Sequence, residues 1–366
     1  MSTGVTPFYY PEQPDPSFQL QLEDSYFLVK LHDTQAFFEV DWLRNPLNKL
    51  SYLTLSSSIK SSFKENFSTE SLHKISTIQN NIPCRLGIGS NLTEWLPVRA
   101  SGSLEIQITY TALQDTPIKN LIAQIEPADL IAKLSLKPDL AVALKVSKFV
   151  GKLLSYLVQE GKQHQIFSLT STLNIHELKT GYYVAIGSHK DEDLPSPQFL
   201  QIDKDGRLRD KSAESLLSRL SYVVIEVQGI SKLGAESFRE QPWWELLTTA
   251  KNIISNTPFD SESDRRKLNN EWLVTLKYVQ TLASQQKSEV LKSEIQGVIA
   301  SAQVEVDNKL KPQTIAESTR GDELQDELQD ILGIETKQEL QDLARNYQEA
   351  LKISQQLLKQ YNLSGD

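Results

Sequence analysis

Five histidines and one cysteine are the only side chains in this 366-residue chain whose ordinary pKa suits base or nucleophile chemistry near neutral pH. The histidines, His32, His73, His164, His176 and His189, are scattered, and none sits at a spacing that assembles a site. His176-Glu177 begins like a zinc-protease helix, but position 180 is Thr, so the second ligand is missing. Ser188, His189 and Asp191 are sequence neighbours, and neighbours on a strand or tight turn seldom reach relay geometry. Cys84 follows Pro83 at the edge of an apolar stretch and reads as a packed thiol. No Gly-x-Ser-x-Gly elbow occurs. Gly87-Ile-Gly89-Ser90 lacks both the third glycine of a dinucleotide fingerprint and the Gly-Lys pair of a phosphate loop, so it reads as a turn. His189-Lys-Asp-Glu-Asp193 and Asp203-Lys-Asp205-Gly206 concentrate oxygen ligands without a twelve-residue calcium pattern, and acidic hairpin tips are ordinarily solvated. The expectation is a protein with no catalytic residue, no cofactor and no metal.

The charge balance narrows the partners. A net charge of −9 without clustered Lys and Arg disfavours nucleic acid. Glu317 to Asp342 holds nine acids against Arg320 and Lys337, and reads as a solvated helix face. One cysteine allows no internal disulfide, which fits a reducing, cytoplasmic setting. The first residues carry neither a basic nor an apolar signal region, and no run of about 18 apolar residues exists.

Two textures share the chain. Up to about Gly234 the pattern is mostly period two. Phe18 to Leu22, Tyr26 to Leu31, Ala36 to Trp42, Leu50 to Ile59 and Ser103 to Tyr110 read as strands, with His32-Asp33-Thr34 as a turn. Leu104, Ile106 and Ile108 define one face of the clearest strand, and Glu105, Gln107 and Thr109 the other. Gln165 to Leu173, Gly181 to Gly187, Gln198 to Ile202, Arg207-Leu208 and Ser221 to Val227 continue the series. The two-sided apolar runs at 182–186 and 222–227 read as central strands. Pro7, Pro11, Pro14 and Pro16 make residues 1–17 an extended arm. A helical segment is expected over about 117–160, with Lys145, Lys148 and Lys152 on one stripe. That stripe suits either a solvated face or an anionic membrane surface.

Beyond Gly234 the period becomes 3.6. Trp243, Leu247, Ala250 and Ile254 share one helical face; Leu268, Trp272, Leu276, Val279 and Ala283 share a second; Leu291, Ile295, Val298, Ala302 and Val306 share a third. Asp322 to Leu332 reads as a short acidic helix stopped by Gly333. Thr336 and Glu339 form a capping box before a stripe of Leu340, Leu343, Tyr347, Ala350, Ser354, Leu357 and Tyr361.

The fold class expected is α+β: a proline-rich arm at 1–17, a mainly antiparallel, sandwich-like β domain at 18–234 interrupted by helix, and a helical bundle at 238–366. With no site for chemistry, the expected function is non-enzymatic protein–protein interaction or assembly. Partners, or a second copy, would bind through the arm and through Leu340, Leu343, Tyr347, Leu357 and Tyr361. A peripheral membrane effector using Lys145, Lys148 and Lys152, and an unrecognised hydrolase, are the alternatives.

Overall fold

The computed structural model describes residues 4–5, 18–37, 50–62, 68–77, 84–85, 90–114, 164–188, 195–203, 207–211, 217, 220–239, 241–259, 261–285, 290–310 and 324–363. The helical segment expected at 117–160 and the strand expected beyond residue 37 lie outside them. Among the described residues no helix is long and apolar enough to cross a membrane.

The described residues up to 230 supply thirteen strands. They are β1 (Gly4–Val5), β2 (Tyr26–Ala36), β3 (Leu50–Ser61), β4 (Ser68–Thr77), β5 (Cys84–Arg85), β6 (Ser90–Asn91) and β7 (Leu96–Pro97), then β8 (Ser103–Gln114), β9 (His164–Asn174), β10 (Gly181–Ser188), β11 (Leu200–Ile202), β12 (Leu208–Asp210) and β13 (Ser221–Ile230). The main sheet runs β1-β10-β13-β2, and the far edge of β2 is covered in turn by β5, β6 and β7. A second sheet has the order β4-β3-β8-β9, and β11 pairs with β12 alone. Among the described residues every pairing is antiparallel.

Period-two patterning builds the sandwich directly. Phe27, Val29 and Leu31 of β2 and Val223, Ile225 and Val227 of β13 pack in one cluster with Leu104, Ile106, Ile108 and Tyr110 of β8. Glu105 and Gln107 on the opposite face of β8 are exposed, as the alternation requires. The other face of the main sheet is covered at one end by the β11–β12 pair, where Leu200 and Leu208 pack on Val184, Tyr222 and Val224. β13 is buried along its whole length, in keeping with a central strand covered on both sides.

Two sequence expectations are corrected. His32-Asp33-Thr34 is not a turn. β2 runs straight through it, and a register shift between Ile225 and Val224 leaves His32 as the extra residue of a bulge. Polar side chains survive mid-strand because Asp33 accepts a 3.0 Å hydrogen bond from the Tyr222 hydroxyl. Residues 18–22 do not form a strand; a turn follows them, with Glu23 at φ 57°. Phe18 and Leu20 instead rest over Gly229, where a Cβ would meet their methyl and ring carbons at 2.7–2.8 Å. β4, whose alternation Glu70, His73 and Lys74 interrupt, was not expected.

The helical region holds α1 (Pro242–Asn256), α2 (Glu262–Gln285), α3 (Lys292–Lys309), α4 (Asp326–Leu332) and α5 (Lys337–Leu363). α3 is central and nearly all round buried. Trp272 of α2 is fully buried and donates to Gln303 of α3 at 2.8 Å. Gly333 at φ 70° ends α4, its N–H reaching Gln329 O at 2.7 Å. The expected capping box of α5 forms: Glu339 N donates to Thr336 Oγ1 at 3.1 Å, and Thr336 N returns the bond to Glu339 Oε2 at 3.1 Å. The α5 stripe packs on α3, and Tyr347 lies directly across Gly297.

That approach generates a prediction against helix propensity. Ala is about 1 kcal/mol better than Gly inside a helix. A Cβ at Gly297, however, would lie 2.5 Å from the Tyr347 ring. Gly297→Ala should therefore destabilise the protein by about 1–3 kcal/mol in urea unfolding. A stabilised variant would mean that α3 and α5 are not in contact there.

Candidate functional site

Three polar clusters emerge that sequence spacing could not reveal. The first lies between the two sheets. His73, the extra residue at a register shift in β4, reaches Ser57 of β3 and Ser90 of β6; its Nε2 is 2.7 Å from Ser57 Oγ and its Nδ1 3.0 Å from Ser90 Oγ. A neutral imidazole has one donor and one acceptor nitrogen, so one serine donates to the ring and the other accepts from it. Burial pushes the His73 pKa down to about 4, which keeps the ring neutral at physiological pH. The Ser57–His73 distance suits proton abstraction from a nucleophile, but only 5% of Ser57 and 2% of Ser90 is exposed. The three residues thus bridge the sheets through the core.

The second cluster is a polar band on the outer face of the main sheet. Lys30, Glu226 and Tyr182 share one cross-strand row, and the bulge places His32 beside them. His32 Nδ1 lies 3.4 Å from Glu226 Oε2, and the His32 and Tyr182 ring centroids are 4.9 Å apart. Burial acts to raise the Glu226 pKa; His32 beside it, then Gln228 and Lys30, outweigh that and hold the carboxyl below its usual range. Burial, then the Glu226 charge, pushes the Tyr182 hydroxyl well up. Glu226 is therefore a carboxylate and Tyr182 a neutral phenol.

The third cluster joins sandwich to bundle. Glu294 of α3 is 0% exposed, and its Oε1 accepts from the amides of Leu233 at 2.9 Å and Gly234 at 3.1 Å. Burial raises its pKa against those bonds. Lys232 donates to Asp24 at 2.6 Å, Ser293 donates to Asp24 at 2.9 Å, and Lys232 N donates to Ser354 Oγ of α5 at 3.0 Å. Tyr26 and Ile230 from the sheet pack with Leu291 and Leu357 from the helices. Beside this seam a cleft of about 460 Å³ opens between the sandwich residue Arg99 and helices α2, α3 and α4. Gln280 and Gln296 donate to the carbonyls of Ile331 and Leu332, fixing α4 as its rear wall.

Of the residues expected to face a partner, Leu340, Tyr347 and Leu357 are buried within the chain, and Leu343 packs against the bundle core. Tyr361 Oη donates to Gly229 O at 2.9 Å. Lys145, Lys148, Lys152 and His189 lie outside the described residues. Cys84 sits on β5, paired with Ala36. Asp203 accepts from Arg207 N at 2.8 Å and Arg209 Nε at 2.5 Å, within the β11–β12 hairpin. Among the described residues no group of three His, Cys, Asp or Glu side chains converges. Comparison with known protein families, characterised proteins and solved structures found no match for the chain.

The buried imidazole makes stability depend on pH. Unfolded His73 titrates near 6.5, whereas the folded ring refuses a proton until about 4. Below pH 6.5 the unfolded chain binds the extra proton, so this group's contribution falls between about pH 6.5 and 4, at no more than about 1.4 kcal/mol per pH unit. His73→Gln should flatten that part of the stability–pH curve measured by urea unfolding. An unchanged slope would remove His73 as its source.

Proposed function

We propose that the protein is a non-enzymatic assembly protein of the cytoplasm that joins a second copy of itself through the open edge of its second sheet. The observation that carries this reading is β9. It pairs with β8 along one side, and among the described residues nothing pairs with its other side. Its eleven residues, HQIFSLTSTLN, contain no Lys, Asp, Glu or Pro, the residues that ordinarily protect an exposed edge. An unprotected edge of this length offers a row of backbone donors and acceptors for strand addition. The chain already uses the same chemistry on its other sheet, where Gly4 and Val5 of the arm pair with Ser188 and Gly187 of β10. With Gly4 and Val5 of the arm and the α5 stripe engaged internally, β9 takes over the role that sequence pattern assigned to them. A two-fold dimer pairing β9 with β9 antiparallel satisfies both edges at once.

The test is solution mass against concentration by light scattering. The wild-type chain should pass from monomer to dimer as concentration rises. Thr170 and Thr172 are exposed on the outer face of β9, near their own copies across such a dimer. Replacing both with Lys sets like charges opposite one another and should restore the monomer without altering the circular dichroism spectrum. A wild-type monomer at every concentration would overturn the assembly reading.

A further inference from the structure

The seam between sandwich and bundle holds a carboxyl sealed from water. Glu294 is 0% exposed. Its Oε1 takes both connector amides, whereas its Oε2 is buried and has no hydrogen-bond partner among the described residues. A charged oxygen in that state is costly, and a proton on it removes the charge. The connector brings Lys232 to it, but that ammonium is already engaged, at 2.6 Å, by Asp24 from the turn before β2. β2 brings Tyr26, whose hydroxyl accepts from Leu291 N at 2.8 Å. α5 brings Tyr347, and Ser354, which accepts from Lys232 N. Burial, and then the Glu294 charge, pushes both phenols up, so neither is a second anion. Arg99, which acts on Tyr26, is held 2.5 Å from Glu23.

We infer that the seam is a proton-operated clasp, which tightens when Glu294 takes up a proton and loosens when the proton leaves. Oε1 already accepts two N–H groups, so the proton belongs on Oε2. Leu233 N and Gly234 N keep their acceptor in either state, and only the uncompensated charge is removed. Burial holds the Glu294 carboxyl above its ordinary 4.5, against the pull of Tyr26, the two amides and Lys232. Such a group gives stability that is fully present below its unfolded pKa and is lost as pH rises through its folded pKa. Local opening of the seam wets Glu294 and carries the same linkage. The seam therefore closes in acid and opens more readily as pH rises. His73 works in the opposite sense from within the sandwich, so location separates the two effects. The clasp is independent of β9 and of the dimer.

Hydrogen exchange of the full chain tests the inference, read by mass spectrometry and corrected for the intrinsic rate at each pH. The peptides that matter cover Lys232, Leu233 and Gly234, and Leu291. From about pH 8 down to about pH 5 their protection should rise, by up to about tenfold per pH unit where Glu294 titrates. A peptide within β8 should not follow. Glu294→Gln keeps an acceptor for both amides and has no proton to lose, so it should flatten the profile. Lys232→Met removes the cation that favours the charged form, so the rise should begin at higher pH. Asp24 is half exposed and can be met by water in that variant, so the fold should persist, which circular dichroism checks. Wild-type protection that stays level or falls toward acid would overturn the inference. So would a rise shared by β8, a profile unchanged in Glu294→Gln, or a Lys232→Met profile that does not move up.

Discussion

A single buried carboxylate fixes how the two halves of this molecule meet. Removing Glu294 from water is costly unless the carboxylate is paired or hydrogen-bonded. Here it takes up two backbone amides, those of Leu233 and Gly234, at the point where the chain leaves the sheet and has no ladder partner to offer them. The exchange is mutual: the carboxylate gains donors, and the connector gains a fixed path. Gly234 follows that path at φ 82°, with a Cβ position 2.8 Å from Leu351 of α5, so the connector is also wedged sterically. Loss of the carboxylate would leave two buried N–H groups without acceptors, which costs more than one ordinary hydrogen bond.

Everything that spans sandwich and bundle depends on that geometry. Asp24, just before β2, is tied to Lys232 of the connector and to Ser293 of α3. Ser354 and Tyr361 carry α5 onto the same strand end. The 460 Å³ cleft takes Arg99 from the sandwich and its other described lining residues from the helical region.

The fold was legible wherever one face of an element is buried and the other wet. β8, with Ile106 and Ile108 inside and Glu105 and Gln107 outside, could be read residue by residue, as could the stripes of α1, α2 and α5. Reading failed where tertiary packing overrides local character. His32-Asp33-Thr34 has turn composition, yet β13 and the Tyr222 hydroxyl hold it in a strand. β4 went unseen because charged residues break its alternation. The polar clusters were beyond sequence altogether. Ser57, His73 and Ser90 come from three strands, Glu226 meets His32 across the sheet, and the cleft draws on residues from 99 to 331. Whether β9 is an edge is likewise a property of sheet order, which no local pattern encodes.

The order of synthesis gives the α5 contacts another consequence. Tyr26 and Ile230 form the outer end of the main sheet, and Leu357 covers them from a position about 130 residues later in the chain. At roughly 5–20 residues per second, translation leaves that apolar strip without its Leu357 cover for on the order of ten seconds after the sheet's last strand emerges. A nascent chain on the ribosome is thus a natural client for holding chaperones during that interval, and a chain ending before residue 350 would keep Leu291 on Tyr26 and Ile230 but lack the Leu357 share of their cover.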